Sequence, residues 1–234
     1  METILLVAAE SFEFRGFRRV LAGAEALPWP LGFARSAMVK GRRWLMVADG
    51  AGARLAAQAA EYAAGRARVD KVVSTGFCGA LDTALGVGEV FVATRVMRED
   101  GSPVCDAADP RASQPHRGGP LASVDRVAAS VKERRALHER GAAAVEMEAA
   151  GVAEWALQRG CPFYCVRAVT DTAEQSFSID FDGTRDAEGR FRASKVCLAA
   201  MRRPWRSFPE LVELAWRGRR CSRVLGEFLA DCAF

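Results

Sequence analysis

The sequence has few residues of the kinds that bind metal ions or build a disulfide framework. Its two histidines, His116 and His138, lie in polar segments far from any group of cysteines, so a zinc site is not expected. Its seven cysteines are an odd number and include no C-x-x-C pair. This usage is typical of reduced thiols in a cytoplasm and argues against a disulfide framework.

Long apolar runs, repeats and a strong charge are also lacking. No segment approaches the length of a membrane span, and the stretch METILLVAAE carries Glu2 where a signal peptide would have a basic region. The net charge of +4 is too small to indicate nucleic-acid binding. Because there is no internal repeat and no linker, we expect one domain over residues 1–234. From the other features we expect a cytoplasmic protein with no nucleic-acid partner.

Apolar residues are plentiful and follow two alternating patterns. Half of the 234 residues are hydrophobic, which is enough for a sizeable core. Strands that alternate with helices indicate an α/β domain with a parallel or mixed sheet. Pro204 and Pro209 are predicted to break the helices of the tail. The predicted strands are 3–9, 44–48, 69–75, 89–97 and 162–170; the predicted helices are 53–66, 125–140, 148–159 and a group at about 193–231; 99–119 and 171–189 are predicted loops.

The turn DGAG, residues 49–52, is the first candidate for a binding site. A G-x-G turn between a strand and a helix can cradle a phosphate. Here Leu55 replaces the third glycine of the dinucleotide pattern, and Asp70 opens the next strand instead of closing it. No Walker A pattern occurs. A tight turn that lets the helix approach the sheet is therefore favoured over a dinucleotide site.

Carboxylates collect at one predicted edge of the sheet, where open α/β sheets bind ligands. Glu10 and Glu13 follow the first strand, and Asp171 follows the strand 162–170. Glu146 and Glu148 come just before the helix at Ala149. A solvated helix start would explain the two glutamates, and a helix cap would explain Asp171. Their common position at the same edge favours acids that face a ligand.

Three ordered segments resemble the nucleoside phosphorylase and nucleosidase superfamily, most closely the methylthioadenosine/S-adenosylhomocysteine nucleosidase branch. TGFCGALDTALGVGEVFVA (75–93) is similar to its glycine-rich strand–loop–strand, AVEMEAAGVAEWA (144–156) to its ribose-binding segment, and VRAVTDTAEQ (166–175) to its V-R-x-[IV]-[ST]-D segment. The resemblance implies a single-domain, three-layer α/β/α fold with a central mixed, partly barrel-like sheet. It also implies a homodimer and no cofactor, with phosphate needed only in a phosphorylase.

The resemblance assigns roles at the sugar and at the base. Met147 and Glu148 would contact the ribose, with Glu148 accepting from its hydroxyls, and Glu146 would support Glu148 or meet the sugar secondarily. Asp171 would donate a proton to N7 of the purine. Glu13 would activate water, because it fits the family's A-x-x-x-E spacing, and Glu10 is the alternative.

Further positions match the family's base pocket and glycine loop. Phe181 falls where the family has an aromatic residue beside the base, and Val127 and Ala128 fall where it has an aromatic residue and a backbone contact. Gly76 and Phe77 belong to the glycine loop. Val127 weakens base stacking, and Phe77 departs from the small residue of the nucleosidase branch.

The residues at the superfamily's phosphate-binding positions predict whether water or phosphate is the nucleophile. Its phosphorylases hold phosphate with an arginine and a serine, and the matching positions here are Ser74 and Phe77. Without that arginine a phosphate dianion loses its main charge partner, which favours water. Other arginines that could contact phosphate are Arg15, Arg18 and Arg54.

The implied function is hydrolysis of the N-glycosidic bond of a purine nucleoside through an oxocarbenium-like state. The substrate would be a 5′-substituted adenosine such as methylthioadenosine, S-adenosylhomocysteine or a lipid-linked adenosine. The base leaves poorly as an anion, so Asp171 must hold a proton near neutral pH, through burial or neighbouring acids. The alternatives are a phosphate-dependent phosphorylase and a catalytically silent nucleoside-binding protein.

The C-terminal tail adds the lipid-linked substrate to this set. Residues 186–220 resemble hopanoid-associated phosphorylase-like proteins, which act on adenosylhopane. Apolar residues recur in the tail at helical spacing beside a basic face. A terminal helix packed on the domain is favoured, and weak contact of the basic face with a membrane surface is the alternative. The apolar positions are Leu211, Leu214, Ala215, Val224, Leu225, Phe228 and Leu229, and the basic ones Arg217, Arg219, Arg220 and Arg223.

Overall fold

The computed structural model describes residues 1–21, 23–178, 182–184 and 204–234. The strands are β1 (Thr3–Ala8), β2 (Glu25–Ala26), β3 (Phe33–Val39), β4 (Arg42–Ala48), β5 (Lys71–Ala80), β6 (Val90–Arg98), β7 (Pro103–Asp106), β8 (Arg117–Ser123), β9 (Ala144–Glu146) and β10 (Phe163–Asp171). The helices are α1 (Arg15–Val20), α2 (Ala53–Ala64), α3 (Val131–Glu139), α4 (Ala149–Arg159) and α5 (Pro204–Asp231), with a 3-10 turn at Asp182–Thr184.

All ten strands belong to one mixed sheet, and part of it closes on itself. The order is β10-β6-β8-β9-β5-β1-β4-β3-β2, with β7 beside β6 and a further pairing between β10 and β5. Strands β4, β1, β5 and β10 run parallel, so their carboxyl ends lie at one edge. The pairings β5-β10-β6-β8-β9-β5 form a ring. The predicted mixed, partly barrel-like sheet is confirmed.

Helices cover both faces of the sheet, which confirms the predicted three layers. Along β1, Leu5 and Val7 face a core shared with α2 and α4, whereas Ile4 and Leu6 face a second core shared with α1 and α5. Burial on both faces explains why residues 4–8 of β1 are an unbroken apolar run with no polar alternation. Among the described residues, no helix is both long enough and apolar enough to span a bilayer.

Several predicted boundaries were wrong. Strand β5 runs through the glycine loop to Ala80, because β9 and β10 pair with this stretch. The predicted loop 99–119 contains β7 and the start of β8, whose pairing with β6 overrides their turn-rich composition. Helix α3 begins at Val131 and not near 125, because Ser130 and Glu133 form a capping box there.

The C-terminal tail is a single helix from Pro204, and the predicted break at Pro209 was wrong. A proline near the start of a long helix removes only one backbone hydrogen bond, which the remaining turns tolerate. Leu225, Phe228 and Leu229 are buried against α1 and the sheet, so the tail packs on the domain as predicted. The expected helical start near residue 193 lies outside the described residues.

Helices α1 and α5 touch backbone to backbone at two glycines. A Cβ atom on Gly16 would lie 1.9 Å from the carbonyl oxygen of Ser222, and one on Gly226 would lie 2.1 Å from the amide nitrogen of Phe17. The Ser222 hydroxyl accepts from the Gly16 N–H at 2.9 Å and lies 3.1 Å from the carbonyl oxygen of Glu13. The C-terminal helix therefore holds the segment that follows β1.

Replacement of Gly226 by alanine should lower the free energy of unfolding by about 2 kcal/mol or more, because the new methyl group meets backbone that cannot yield. The control is Gly218→Ala in the same helix, where the nearest atom is a ring carbon of Phe77 at 3.7 Å. Helix propensity should make that variant neutral or more stable by about 0.5 kcal/mol. Urea unfolding of both variants checks this, and equal effects would contradict the close packing.

Candidate active site

The structure buries four of the predicted acids at the carboxyl edge of the sheet. Glu13 lies in the turn after β1, Glu146 ends β9, Glu148 is the N-cap of α4 and Asp171 ends β10. Each is 5–6% exposed. Buried carboxylates are costly unless they are paired or protonated, so their partners define the site.

Arg167 in the middle of β10 is the cation of this cluster. It is fully buried, lies opposite Gly76 of β5, and its Nη2 donates to Glu146 and, at 2.6 Å, to Ser74 Oγ. Its Nη1 lies 3.8 Å from Glu148 Oε2. Burial works to lower the pKa of Arg167, but the facing acids, Glu146 first, raise it above its ordinary value. Arg167 therefore stays charged and gives the acids a fixed positive centre.

Glu146 has several protein partners, most of them at Oε2. Besides Arg167, its Oε2 accepts from the backbone N–H groups of Glu148 and Ala149, both at 2.9 Å. These are orphan donors at the start of α4, so Glu146 caps the helix from outside it. This pattern favours a supporting role for Glu146 over direct contact with a sugar.

Glu148 is held by the glycine turn that resembled a phosphate cradle. The Gly52 N–H donates to Glu148 Oε1 at 3.0 Å. Helices α2 and α4 come close enough for this because Gly151 has no side chain: a Cβ there would lie 1.9 Å from the Ala53 carbonyl oxygen. Burial, and then the charge of Glu146, raise the pKa of Glu148 to about 8. The turn thus binds the protein's own carboxyl group.

Glu13 is fixed through both carboxyl oxygens. Oε1 accepts from the Phe77 N–H at 2.9 Å, and Oε2 accepts from the Glu10 N–H at 2.8 Å. A Cβ atom at position 76 would lie 2.5 Å from Oε1, so only Gly76, with φ of 136°, leaves room for the carboxyl group. Burial raises the pKa of Glu13 to about 7. Glu10 contributes its backbone to this site, which supports Glu13 as the candidate base.

Asp171 has a different charge environment from the other acids. Arg134 of α3 places Nη2 2.5 Å from Asp171 Oδ2, and the Thr170 hydroxyl donates to Oδ1 at 2.6 Å. A Cβ on Gly79 would collide with Oδ2 at 2.5 Å, so the glycine loop also makes room for this group. The charged group bonded to Asp171 is an arginine, whereas the sequence had suggested neighbouring acids.

The other predicted site residues are buried or half-buried where the structure describes them. Met147 and Ala128 are buried, with half-buried Val127 beside them, in a small cluster next to α3. Phe77 is half-buried with its ring 5.6 Å from that of Phe12. The predicted aromatic neighbour of the base, Phe181, lies outside the described residues.

The candidate phosphate-binding residues have different surroundings. Ser74 is bonded to Arg167. Arg15, Arg18 and Arg54 are exposed; Arg18 lies against the ring of Phe33 and Arg54 donates to Gln58.

Two arginines of the site had no role in the sequence interpretation. Arg167 could have been found, because a charged residue in a predicted buried strand requires an opposite charge. Arg134 sits in the charged run VKERRALHER, where no pattern separates it from exposed neighbours such as Arg135.

The raised pKa of Glu13 predicts a pH-dependent stability. Its value of about 7 exceeds the ordinary 4.5, so folding favours the protonated form. The wild type should therefore lose stability as the pH rises from 4.5 to about 7. Glu13→Gln should not show this loss, because its side chain does not titrate. Relative to wild type, the variant should gain about 3 kcal/mol between pH 4 and pH 8.5. Chemical unfolding at both pH values measures this, with exposed Glu139→Gln as control, and an unchanged difference would contradict it.

Comparisons with known proteins identify relatives of this chain. A 5′-methylthioadenosine/S-adenosylhomocysteine nucleosidase of Staphylococcus aureus (strain bovine RF122 / ET3-1) is 27% identical over 172 residues, which cover 62% of this chain and 75% of that protein. Futalosine hydrolase of Helicobacter pylori superposes with a TM-score of 0.73 at 16% identity, over 99% of this chain and 98% of that one.

A second solved structure gives the same fold. The methylthioadenosine/S-adenosylhomocysteine nucleosidase of Neisseria meningitidis, in complex with methylthio-immucillin-A, has a TM-score of 0.67 at 21% identity, over 98% of this chain and 99% of that one. At these identities the superpositions establish the fold alone. Residues 3–202 match the phosphorylase superfamily, and the chain belongs to that family.

Proposed function

We propose that this protein is a purine nucleosidase that hydrolyses the N-glycosidic bond of adenosine-type nucleosides. The observation that carries the proposal is the buried acid cluster: Glu13 and Glu148, both with raised pKa, lie around Arg167, and Asp171 lies at the same edge of the sheet. The names of the curated and structural relatives, which are nucleosidases and a futalosine hydrolase, support the same reaction class.

The proposed reaction uses three carboxyl groups: one protonates the base, one activates water and one binds the sugar. The C1′–N9 bond breaks, its electron pair passes into the purine, and the sugar becomes oxocarbenium-like. Asp171 gives its proton to N7 of the leaving base. Water adds to C1′ and Glu13 takes the proton that the water loses. A base with a pKa of about 7 is well matched to this task at neutral pH.

Glu148 is proposed to bind the ribose hydroxyls, with Met147 against the sugar. Burial, and then the charge of Glu146, raise its pKa to about 8, which favours its protonated form in the free protein. Positive charge that develops on the sugar favours the ionised form of a nearby carboxyl group. Glu148 would therefore interact more strongly with the transition state than with the bound substrate, as catalysis requires.

Water is favoured over phosphate because the place for an anion is filled by a carboxyl group. Glu13 takes the Phe77 N–H and the space above Gly76. Arg167 is bonded to Glu146 and Ser74. A phosphate dianion here would meet buried carboxyl groups and lack a cation of its own.

The 5′ substituent stays open within this class. The relatives' names provide methylthioadenosine, S-adenosylhomocysteine and futalosine as candidates, and the tail resemblance adds a lipid-linked adenosine. The proposed chemistry uses no metal and no organic cofactor. The homodimer, the cytoplasmic location and the weak membrane contact through α5 stay predictions.

Incubation with each candidate nucleoside should release adenine, or the corresponding base, together with a free 5′-substituted ribose. The rate should be the same with and without phosphate, because water is the nucleophile. Chromatography of base and sugar products measures this. Strict phosphate dependence with a sugar 1-phosphate product would instead establish a phosphorylase, and release from none of the nucleosides would contradict the proposal.

Asp171→Asn should lower kcat by about 10²-fold or more, the usual contribution of a general acid, because an amide has no acidic proton to transfer. Affinity for the nucleoside should change little, since the side chain keeps its shape. Steady-state kinetics and calorimetric titration separate the two effects. Asp109→Asn, at an exposed aspartate, is the control. Turnover at the wild-type rate would remove Asp171 from the mechanism.

A further inference from the structure

Arg134 is a buried arginine that the proposed reaction leaves without a role. It is 2% exposed, and four of its five N–H groups have protein acceptors. Nε donates to the Ala128 carbonyl at 3.0 Å, Nη1 to the carbonyls of Ala80 at 3.3 Å and Thr172 at 3.1 Å, and Nη2 to Asp171 at 2.5 Å. One side chain thus joins the segment before α3 to the ends of β5 and β10.

The helix that carries Arg134 is fixed independently of it. The Ser130 hydroxyl accepts from the Glu133 N–H at 3.2 Å, and Glu133 in return accepts from the Ser130 N–H at 3.0 Å. Glu133 also bonds Arg126, so it is engaged on the outer side of the helix. Arg134 and Leu137 form the buried face of α3. The guanidinium is therefore presented to Asp171 by a preformed element.

A guanidinium is expensive to bury, and neutral carbonyl acceptors alone do not offset that cost. Asp171 is the acidic side chain that lies against this guanidinium. Its two oxygens have different partners: Oδ2 is bonded to Arg134, and Oδ1 accepts from the Thr170 hydroxyl. Bonds on both oxygens prevent the carboxyl group from rotating, and Gly79 leaves the space in which the pair meets.

Proton transfer to the purine changes the charge of this pair. After Asp171 has given its proton to N7, it is left as a carboxylate that is 6% exposed. An unpaired buried carboxylate would oppose the transfer. Arg134 already lies 2.5 Å away, so the product charge is balanced without any movement.

We propose that Arg134 is a positioning residue for departure of the base. It orients Asp171 and stabilises the carboxylate that remains after the proton has passed to the purine. The same guanidinium holds the Ala128 carbonyl, at the position where the family has a backbone contact to the base. This inference rests on the proposed nucleosidase function.

The test compares two leaving groups. Arg134→Met should lower kcat for the cleaved nucleoside by about 30-fold or more, with KM within about 3-fold, because it weakens a step made only in the transition state. Turnover of p-nitrophenyl β-D-riboside, whose leaving group needs no protonation, should stay within about 3-fold of wild type. Arg134→Lys should recover about 10-fold of the lost kcat, because it restores the charge without the fork geometry.

Arg135→Met is the matched control, since Arg135 is the exposed neighbour on the same helix. Equal losses on both substrates, with a lowered melting temperature, would assign Arg134 a purely structural role and overturn the inference. Wild-type nucleoside turnover by Arg134→Met would also overturn it and leave the proposed function intact. Failure of the wild type to cleave any nucleoside would overturn the proposed function and this inference together.

Discussion

The ion pair between Arg167 and Glu146 is the interaction on which the rest of the site depends. Both side chains are buried, and each also fixes a second element: Arg167 bonds Ser74 of β5, and Glu146 caps α4. The cap places Glu148 at the start of that helix, facing Arg167. Removal of either partner would leave a buried charge without compensation, at a cost of several kcal/mol.

The charges divide the site into two unlike halves. Around Arg167 the acids outnumber the cation. Burial raises the pKa of Glu13 to about 7, and burial followed by the charge of Glu146 raises that of Glu148 to about 8. Asp171 and Arg134 form a one-to-one pair at the other end. An acid-rich half suits a sugar that becomes positive, and a balanced pair suits a base that takes up a proton. In the proposed reaction the sugar becomes positive in the acid-rich half, and the base takes up its proton beside the Asp171–Arg134 pair.

The sequence located the acids but not the cations that organise them. Glu13, Glu146 and Asp171 could be placed because strand ends are readable from apolar runs, and ligands gather at those ends. Arg167 lay inside the quoted V-R-x-[IV]-[ST]-D segment, yet its partners come from distant strands. Arg134 is buried with its guanidinium bonded to the Ala80 and Thr172 carbonyls, which helical spacing in a highly charged run does not reveal.

The fold was predictable in its layers and less so where pairing overrides local composition. The glycine-rich stretch after residue 75 reads as a loop, since glycine is a poor strand former. It is strand because β9 and β10 pair with it, and its glycines are needed for another reason. Gly76 and Gly79 lie where a side chain would collide with Glu13 and Asp171. The same residues that weaken the strand signal make space for the two candidate catalytic acids.

The C-terminal helix shows how far in sequence the support of a catalytic group can lie. Between β1 and α1 the chain has no regular structure, so Glu13 depends on outside contacts for its position. The Phe77 N–H holds its carboxyl group, and the Ser222 hydroxyl lies 3.1 Å from its carbonyl oxygen. Ser222 can reach that far because Gly16 and Gly226 let α1 and α5 touch. Helix α5 therefore helps to hold the backbone of the proposed base, although it lies more than 200 residues away in the sequence.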